Sequence, residues 1–320
     1  MRKELSGYDV GALMYCPANA HTTIADSLAN ERIPKPFSLA FCLEDTVHES
    51  AVIEAENRLY QTLGEIMKVS TEKAFYMPNI FIRIRNPEHL RSLAAVFKPF
   101  ERILTGFILP KFFVENCHEY VQVIQEIEKT TSYYYMPIFE SSEMIDPGTR
   151  HKNLALVKEA LEPISHMILN IRVGGNDLSH AFGLRRPVTR SIYDLRPVSH
   201  ILIDIVSTFA TQYVVSGPVW EYYSGDGWDT GLRKELELDI LNGFTGKTVI
   251  HPKQIPIVNE MLKVSYSDYQ DACSILKWDN SKGQMVSASA DSGRMNEYNT
   301  HFNWANKIVL RAKKYGVKAD

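Results

Sequence analysis

Tyr133-Tyr134-Tyr135-Met136-Pro137-Ile138-Phe139-Glu140-Ser141-Ser142-Glu143 is an aromatic and apolar run that stops on a carboxylate and gives way to small polar residues. A second stretch, Ile168-Leu169-Asn170-Ile171-Arg172-Val173-Gly174-Gly175-Asn176-Asp177, has the same design. Runs that do not alternate suit strands buried on both faces, as in parallel sheets. Two consecutive strands would each deliver one carboxylate, Glu140 and Asp177, at a C-terminal edge. In a closed parallel barrel that edge carries the chemistry. The pair reads as a shared Mg²⁺ site, since Mg²⁺ takes few carboxylates and fills its octahedron with water and ligand oxygens. A purely structural reading stands beside it: acidic residues are also favoured at helix starts.

Further runs appear on either side. Val10–Cys16, Ser38–Leu43, Ile80–Arg85 and Gly106–Leu109 read as strands one to four, Tyr213–Val215 and Lys247–Ile250 as strands seven and eight. Helical patterns lie between them: Ala20–Asn30, Ser50–Val69, Pro87–Phe97, Val114–Glu128, Arg150–Leu161, Ser191–Gln212, Leu232–Leu241 and one from Gln254 to Leu262. Leu178–Phe182 with Gly183–Pro187, and the aromatic, glycine-rich Trp220–Asp229, read as loops. Eight short apolar runs separated by helices predict an α/β fold, a (β/α)8 TIM barrel over residues 1–264. Residues 265–320, polar over Asp279–Arg294 and helical over His301–Lys314, read as a C-terminal helical arm that contacts a neighbouring subunit.

The totals agree with such a domain. At 320 residues the chain suits one barrel of about 250 residues with extensions. A formal net charge of −3 argues against a nucleic-acid or membrane surface built on bulk charge. The four cysteines are scattered without a CxxC pair, which suits a reduced, cytoplasmic protein. Met1–Gly7 has no apolar core of a secretion signal, and no run reaches the roughly 18–20 residues of a membrane helix.

The landmarks also fall in a recognisable order: Leu43-Glu44-Asp45, Ile84-Arg85-Asn86, Leu109-Pro110-Lys111, Ile138-Phe139-Glu140, Gly175-Asn176-Asp177-Leu178 and Gly246-Lys247-Thr248-Val249-Ile250-His251-Pro252. This ordered set resembles the citrate lyase β-subunit-like branch of the HpcH/HpaI aldolase superfamily. The resemblance implies a trimeric or hexameric homo-oligomer that uses Mg²⁺ to break or make a carbon–carbon bond beside a keto acid or an acyl-CoA. On that reading Glu140 and Asp177 hold the metal, and Arg85 binds substrate and shares the enolate charge. Lys111, Glu44 and Asp45 would complete the catalytic rim, with Gly175, Asn176, Pro218 and His251 lining the substrate site.

Bland readings remain beside these roles. Glu44 and Asp45 equally suit an ion pair at the barrel mouth, His251 a helix cap, and Gly174-Gly175 and Ser216-Gly217-Pro218 tight turns. Arg83, two residues before Arg85, faces the same side in a regular strand but deeper, so Arg85 is preferred. Lys247 starts its strand and belongs to the stability face. The departures are Gly11-Ala12, where the family has Arg-Ser, and Met295-Asn296-Glu297 in the tail, where related lyases carry Met-Ile-Asp. They leave open a second function, a barrel that keeps its ligand site but works as a binding or biosynthetic-complex subunit.

Overall fold

The computed structural model describes residues 4–20, 23–279 and 283–319. Parts of three sequence readings lie outside these residues: the extreme N-terminus (1–3), two positions of the first helix (21–22) and three of the polar tail segment (280–282).

Eight parallel strands form one sheet: β1 (Ala12–Pro17), β2 (Ser38–Cys42), β3 (Asn79–Arg83), β4 (Leu104–Leu109), β5 (Tyr134–Phe139), β6 (Ile171–Val173), β7 (Val215–Ser216) and β8 (Lys247–Val249). Their order is β7-β6-β5-β4-β3-β2-β1-β8, and a parallel bridge between Gly217 and Lys247 joins the two ends. The sheet is therefore a barrel with its C-terminal strand ends on one rim. Helices α1 (Ile24–Ala29), α2 (Val52–Glu72), α3 (Pro87–Val96), α4 (Cys117–Glu128), α5 (Pro147–Leu161), α6 (Gly175–Ala181), α7 (Arg196–Phe209), α8 (Trp228–Leu241) and α9 (Gln254–Leu262) follow the strands in turn.

Local chemistry explains the starts. Asn86 caps α3 by accepting from His89 N–H, with Pro87 in the first turn, and Asp146 caps α5 in the same way ahead of Pro147. Packing explains the faces. In α2 the buried residues Ala55, Leu59, Thr62, Leu63 and Ile66 recur every three or four positions and turn one stripe to the sheet. Inside the barrel, Val10, Leu13, Ala40, Phe81, Ile108, Tyr134, Met136, Ile138 and Leu169 form one buried cluster. Each of the larger side chains contributes about 1.5–3 kcal/mol relative to exposure.

Several boundaries differ from the sequence reading. β7 has two residues, because Tyr213 belongs to the turn after α7. Leu178–Phe182 is mostly helix α6 rather than loop. Trp228 and Asp229 already belong to α8, and the predicted helix from Ser191 is a 3-10 turn (Ile192–Asp194) followed by α7.

The chain divides into two compact units, one up to Val258 and one from Asn259. Within the second, α10 (Tyr266–Leu276) packs against α11 (Tyr298–Tyr315) through Ala272, Ile275, Ala305, Ile308 and Ala312. β9 (Val286–Ala288) and β10 (Met295–Glu297) make an antiparallel hairpin. Arg294 bridges Asp268 and Asp271 at 2.7 Å each. Glu297 ends β10 at the start of α11, where its N–H donates to His301 Nδ1. The sequence reading contains neither α10 nor the hairpin.

Candidate active site

Four strand ends converge on one rim. Glu44 and Asp45 follow β2, Arg83 closes β3, Lys111 lies two residues past β4, and Glu140 directly follows β5. Arg83 Nη2 alone reaches three carboxylates: Glu44 Oε2 at 2.7 Å, Asp45 Oδ2 at 2.8 Å and Glu140 Oε1 at 2.9 Å. Its Nε is buried and has no hydrogen-bond partner among the described residues. Lys111 Nζ donates to Glu44 Oε1 at 2.6 Å, and Lys111 N–H donates to Glu140 Oε1 at 3.2 Å. Lys111 has φ +49°, a left-handed conformation unusual for a residue with a side chain. Such outliers persist where surrounding contacts over-determine them. Here both ends of the residue are tied to the acidic cluster.

Glu140 is 4% exposed. Burial is the main force on its acidity and raises the pKa to about 8; Arg83 opposes, while Asp177, Glu44 and Asp45 reinforce it. Burial also pushes Glu44 up. At Asp45 burial is outweighed, chiefly by Arg83, and the group lies below its ordinary value. Burial works against the Arg83 charge too, but the surrounding anions, Glu140 first, hold it firmly protonated. Asp177 sits in the first turn of α6, half-buried, and its charge is felt at Glu140. Gly174 permits this approach of the β6–α6 turn: a Cβ there would lie 2.1 Å from Glu140 Oε2.

Four carboxylates thus face two cations, an imbalance that a divalent cation would correct. Among the described residues no group of three or more His, Cys, Asp or Glu side chains is arranged as a metal cluster. Mg²⁺ does not require one, since one or two carboxylates with waters and ligand oxygens satisfy it. Glu140, with one oxygen engaged by Arg83 and Lys111 and the other over Gly174, and Asp177, whose charge acts on it from the first turn of α6, offer the one or two carboxylates of that donor set.

Below the rim lies a second polar group. Arg172 is paired in register with Ile138, two residues before Glu140, and so points into the barrel. It donates to Thr248 Oγ1 at 2.6 Å and Asn170 Oδ1 at 3.4 Å, and the Tyr15 hydroxyl is its third neighbour. Tyr15, half-buried, also lies under Arg83, whose Cζ is 6.0 Å from the ring centre. No role for Arg172 or Tyr15 follows from the sequence reading, although an arginine inside an apolar strand was the available signal.

The structure does not bring every predicted residue to this place. β3 ends at Arg83, so strand alternation does not carry on to Arg85. The Arg85 guanidinium instead donates to the carbonyls of Leu43 and Val47 at 3.1 and 3.3 Å and pins the β2–α2 connection. The preference for Arg85 over Arg83 is therefore corrected: Arg83 is the guanidinium among the carboxylates. His251 stacks on Tyr223, with ring centres 4.8 Å apart, and burial lowers its pKa. Pro218 packs over Gly175, where a Cβ would lie 2.7 Å from the proline Cβ, and Asn176 is exposed. Lys247 turns outward and is fully buried against α8, at 2.8 Å from Glu235 and 2.7 Å from Asp239.

Comparison with known proteins follows the same outline. Similar solved structures include a citrate lyase from Burkholderia xenovorans (16% identity, TM-score 0.70, 97% of this chain and 93% of that one). CitE from Mycobacterium tuberculosis, in complex with magnesium, acetoacetate and coenzyme A, is 17% identical with a TM-score of 0.62 over 95% of this chain and 98% of that one. RipC from Yersinia pestis is 15% identical with a TM-score of 0.55 over 80% and 96%. At these identities the likeness is one of fold. No curated protein matches the sequence. Residues 4–317, nearly the whole chain, match the family described as C-C_Bond_Lyase of the TIM-Barrel fold. The closed parallel barrel agrees with that fold, and this chain belongs to that family of carbon–carbon bond lyases.

Proposed function

We propose that the protein is a Mg²⁺-dependent carbon–carbon lyase or aldolase acting on a 2-keto acid, with Glu140 and Asp177 as the metal ligands and Arg83 as the substrate-facing guanidinium. The observation that carries this reading is the buried Glu140 carboxylate, tied to Arg83 in a cluster that holds more negative than positive charge. The magnesium and small-acid ligands of the mycobacterial relative support it. When bound, Mg²⁺ supplies Lewis-acid polarisation of the substrate carbonyl oxygen.

The chain's own residues do the rest. Breaking a bond beside a carbonyl builds negative charge on that oxygen as an enolate. The buried guanidinium of Arg83 is fixed in place by three carboxylates and retains an unused Nε–H. Fixed donors in a dry site stabilise such charge more in the transition state than in the ground state. Lys111 adds a second positive charge above Glu44. Burial holds the Glu140 pKa up at about 8, and a cation held there would favour its ionised form.

The test is binding of 2-keto acids and acyl-CoA thioesters with and without Mg²⁺, followed by product analysis. Glu140→Ala and Asp177→Ala should each remove Mg²⁺-dependent keto-acid binding while keeping the far-UV spectrum of the folded barrel. Retention of that binding by either variant would refute the assignment.

A further inference from the structure

We propose that Arg172, Asn170, Thr248 and Tyr15 form a second anion-recognition subsite in the barrel interior, so that the substrate is a 2-keto acid bearing a further carboxylate or phosphate-like group at its far end. The proposal rests on the keto-acid reading above and narrows it to a substrate class.

The first argument is charge. Arg172 is 2% exposed, yet its neighbours Thr248, Asn170 and Tyr15 are all neutral. The other buried cations of the barrel are treated differently. Arg186 lies 3.0 Å from Glu235, and Lys247 meets both Glu235 and Asp239. Arg83 meets three carboxylates. A buried guanidinium without a counter-anion is costly, and a ligand anion relieves that cost. In keeping with this, burial depresses the Arg172 pKa.

The second argument is an unmade hydrogen bond. Asn170 is wholly buried, and among the described residues its Nδ2 has no hydrogen-bond partner. Its Oδ1 already faces Arg172, so the amide presents an idle donor beside an unpaired cation. Guanidinium and amide donors together match the oxygens of a carboxylate or a phosphate.

The third argument is position. Arg172 lies level with Ile138, one inward-facing residue below Glu140 on β5. Tyr15 touches both groups, with Arg83 over its ring and Arg172 at its hydroxyl. A keto acid whose reacting end meets Arg83 and Glu140 would direct its other end down past Tyr15 toward Arg172.

The experiment is calorimetric titration of the full-length protein in Mg²⁺ with pyruvate, oxaloacetate and phosphonopyruvate. Oxaloacetate or phosphonopyruvate should bind at least about tenfold tighter than pyruvate, and the tighter of the two identifies the distal group. Arg172→Met should bring the three affinities within about twofold of one another while leaving pyruvate binding close to wild type. Thr248→Val, a milder change at the same subsite, should reduce the preference in part and serves if the first variant does not fold. Equal binding of all three acids by the wild type, or an equal loss for all three in Arg172→Met, would overturn the subsite and leave the lyase reading standing. Failure of every keto acid to bind with Mg²⁺ would overturn both.

Discussion

Replacing Glu140 with glutamine separates the electrostatics of the rim from any question of substrate. Glu140 titrates at about 8 in the folded barrel, against 4.5 ordinarily, mainly because it is buried. A raised carboxyl pKa means that between these values the unfolded chain has released a proton that the folded chain still holds. The unfolded state then binds fewer protons, so stability is greatest at low pH and falls as pH rises toward 8. Integrating the linkage gives a loss of roughly 3–4 kcal/mol between pH 5 and pH 8 from this one group. In Glu140→Gln the loss should vanish, because the amide does not ionise. The assay is urea denaturation in a chelating buffer at several pH values, comparing the slopes of the two proteins rather than their offsets. Parallel curves for wild type and Glu140→Gln from pH 5 to pH 8 would refute the argument, since they would mean that Glu140 is already ionised in the folded protein.

Three further outcomes follow from these contacts. Arg83→Met should cost roughly 3 kcal/mol of stability near pH 8 and eliminate keto-acid binding, because it leaves buried carboxylates without their shared cation. Arg85→Ala should cost only about 1–2 kcal/mol, from lost backbone contacts, and leave that binding within about twofold; the reverse ordering, by urea titration and calorimetry, would return the role to Arg85. Lys247→Met should destabilise by roughly 3–5 kcal/mol, since Glu235 and Asp239 would lose their lysine in a fully buried site, with little change in Mg²⁺ or keto-acid affinity of the folded protein. A loss below about 1 kcal/mol would show that the cluster contributes little.

Much of the barrel was legible because strands covered on both faces need continuous apolar runs, and Ser38–Cys42, Leu104–Leu109 and Tyr134–Phe139 leave little else to read. Residues immediately after such runs fall on the rim by construction, which is why the rim positions of Glu44, Asp45, Lys111 and Glu140 were legible. What escaped depended on where a strand stops. Alternation extended two residues too far along β3 and favoured Arg85 over Arg83. α6 is only seven residues long and opens on glycine, too short for a 3.6-residue period to emerge. Arg172 was hidden for another reason: one arginine in an apolar strand does not reveal its partners. Its lack of a counter-anion is visible only when β1, β6 and β8 are placed side by side.

The closure of the barrel has a consequence of its own. β1 and β2 share five register pairs, whereas β7 and β8 meet at one bridge and a few neighbouring backbone bonds, such as Thr245 N–H to Val215 O and Gly217 N–H to Gly246 O. Outside that seam stand Lys247, Glu235 and Asp239, with Tyr193 donating to Asp239. Side-chain charge therefore does there what ladder bonds do elsewhere, and a backbone joined so sparingly is where a cylinder would breathe first. Amide protons of Gly217 and Thr248 should exchange with solvent before those of β2 and β3, making this stave the fold's natural latch.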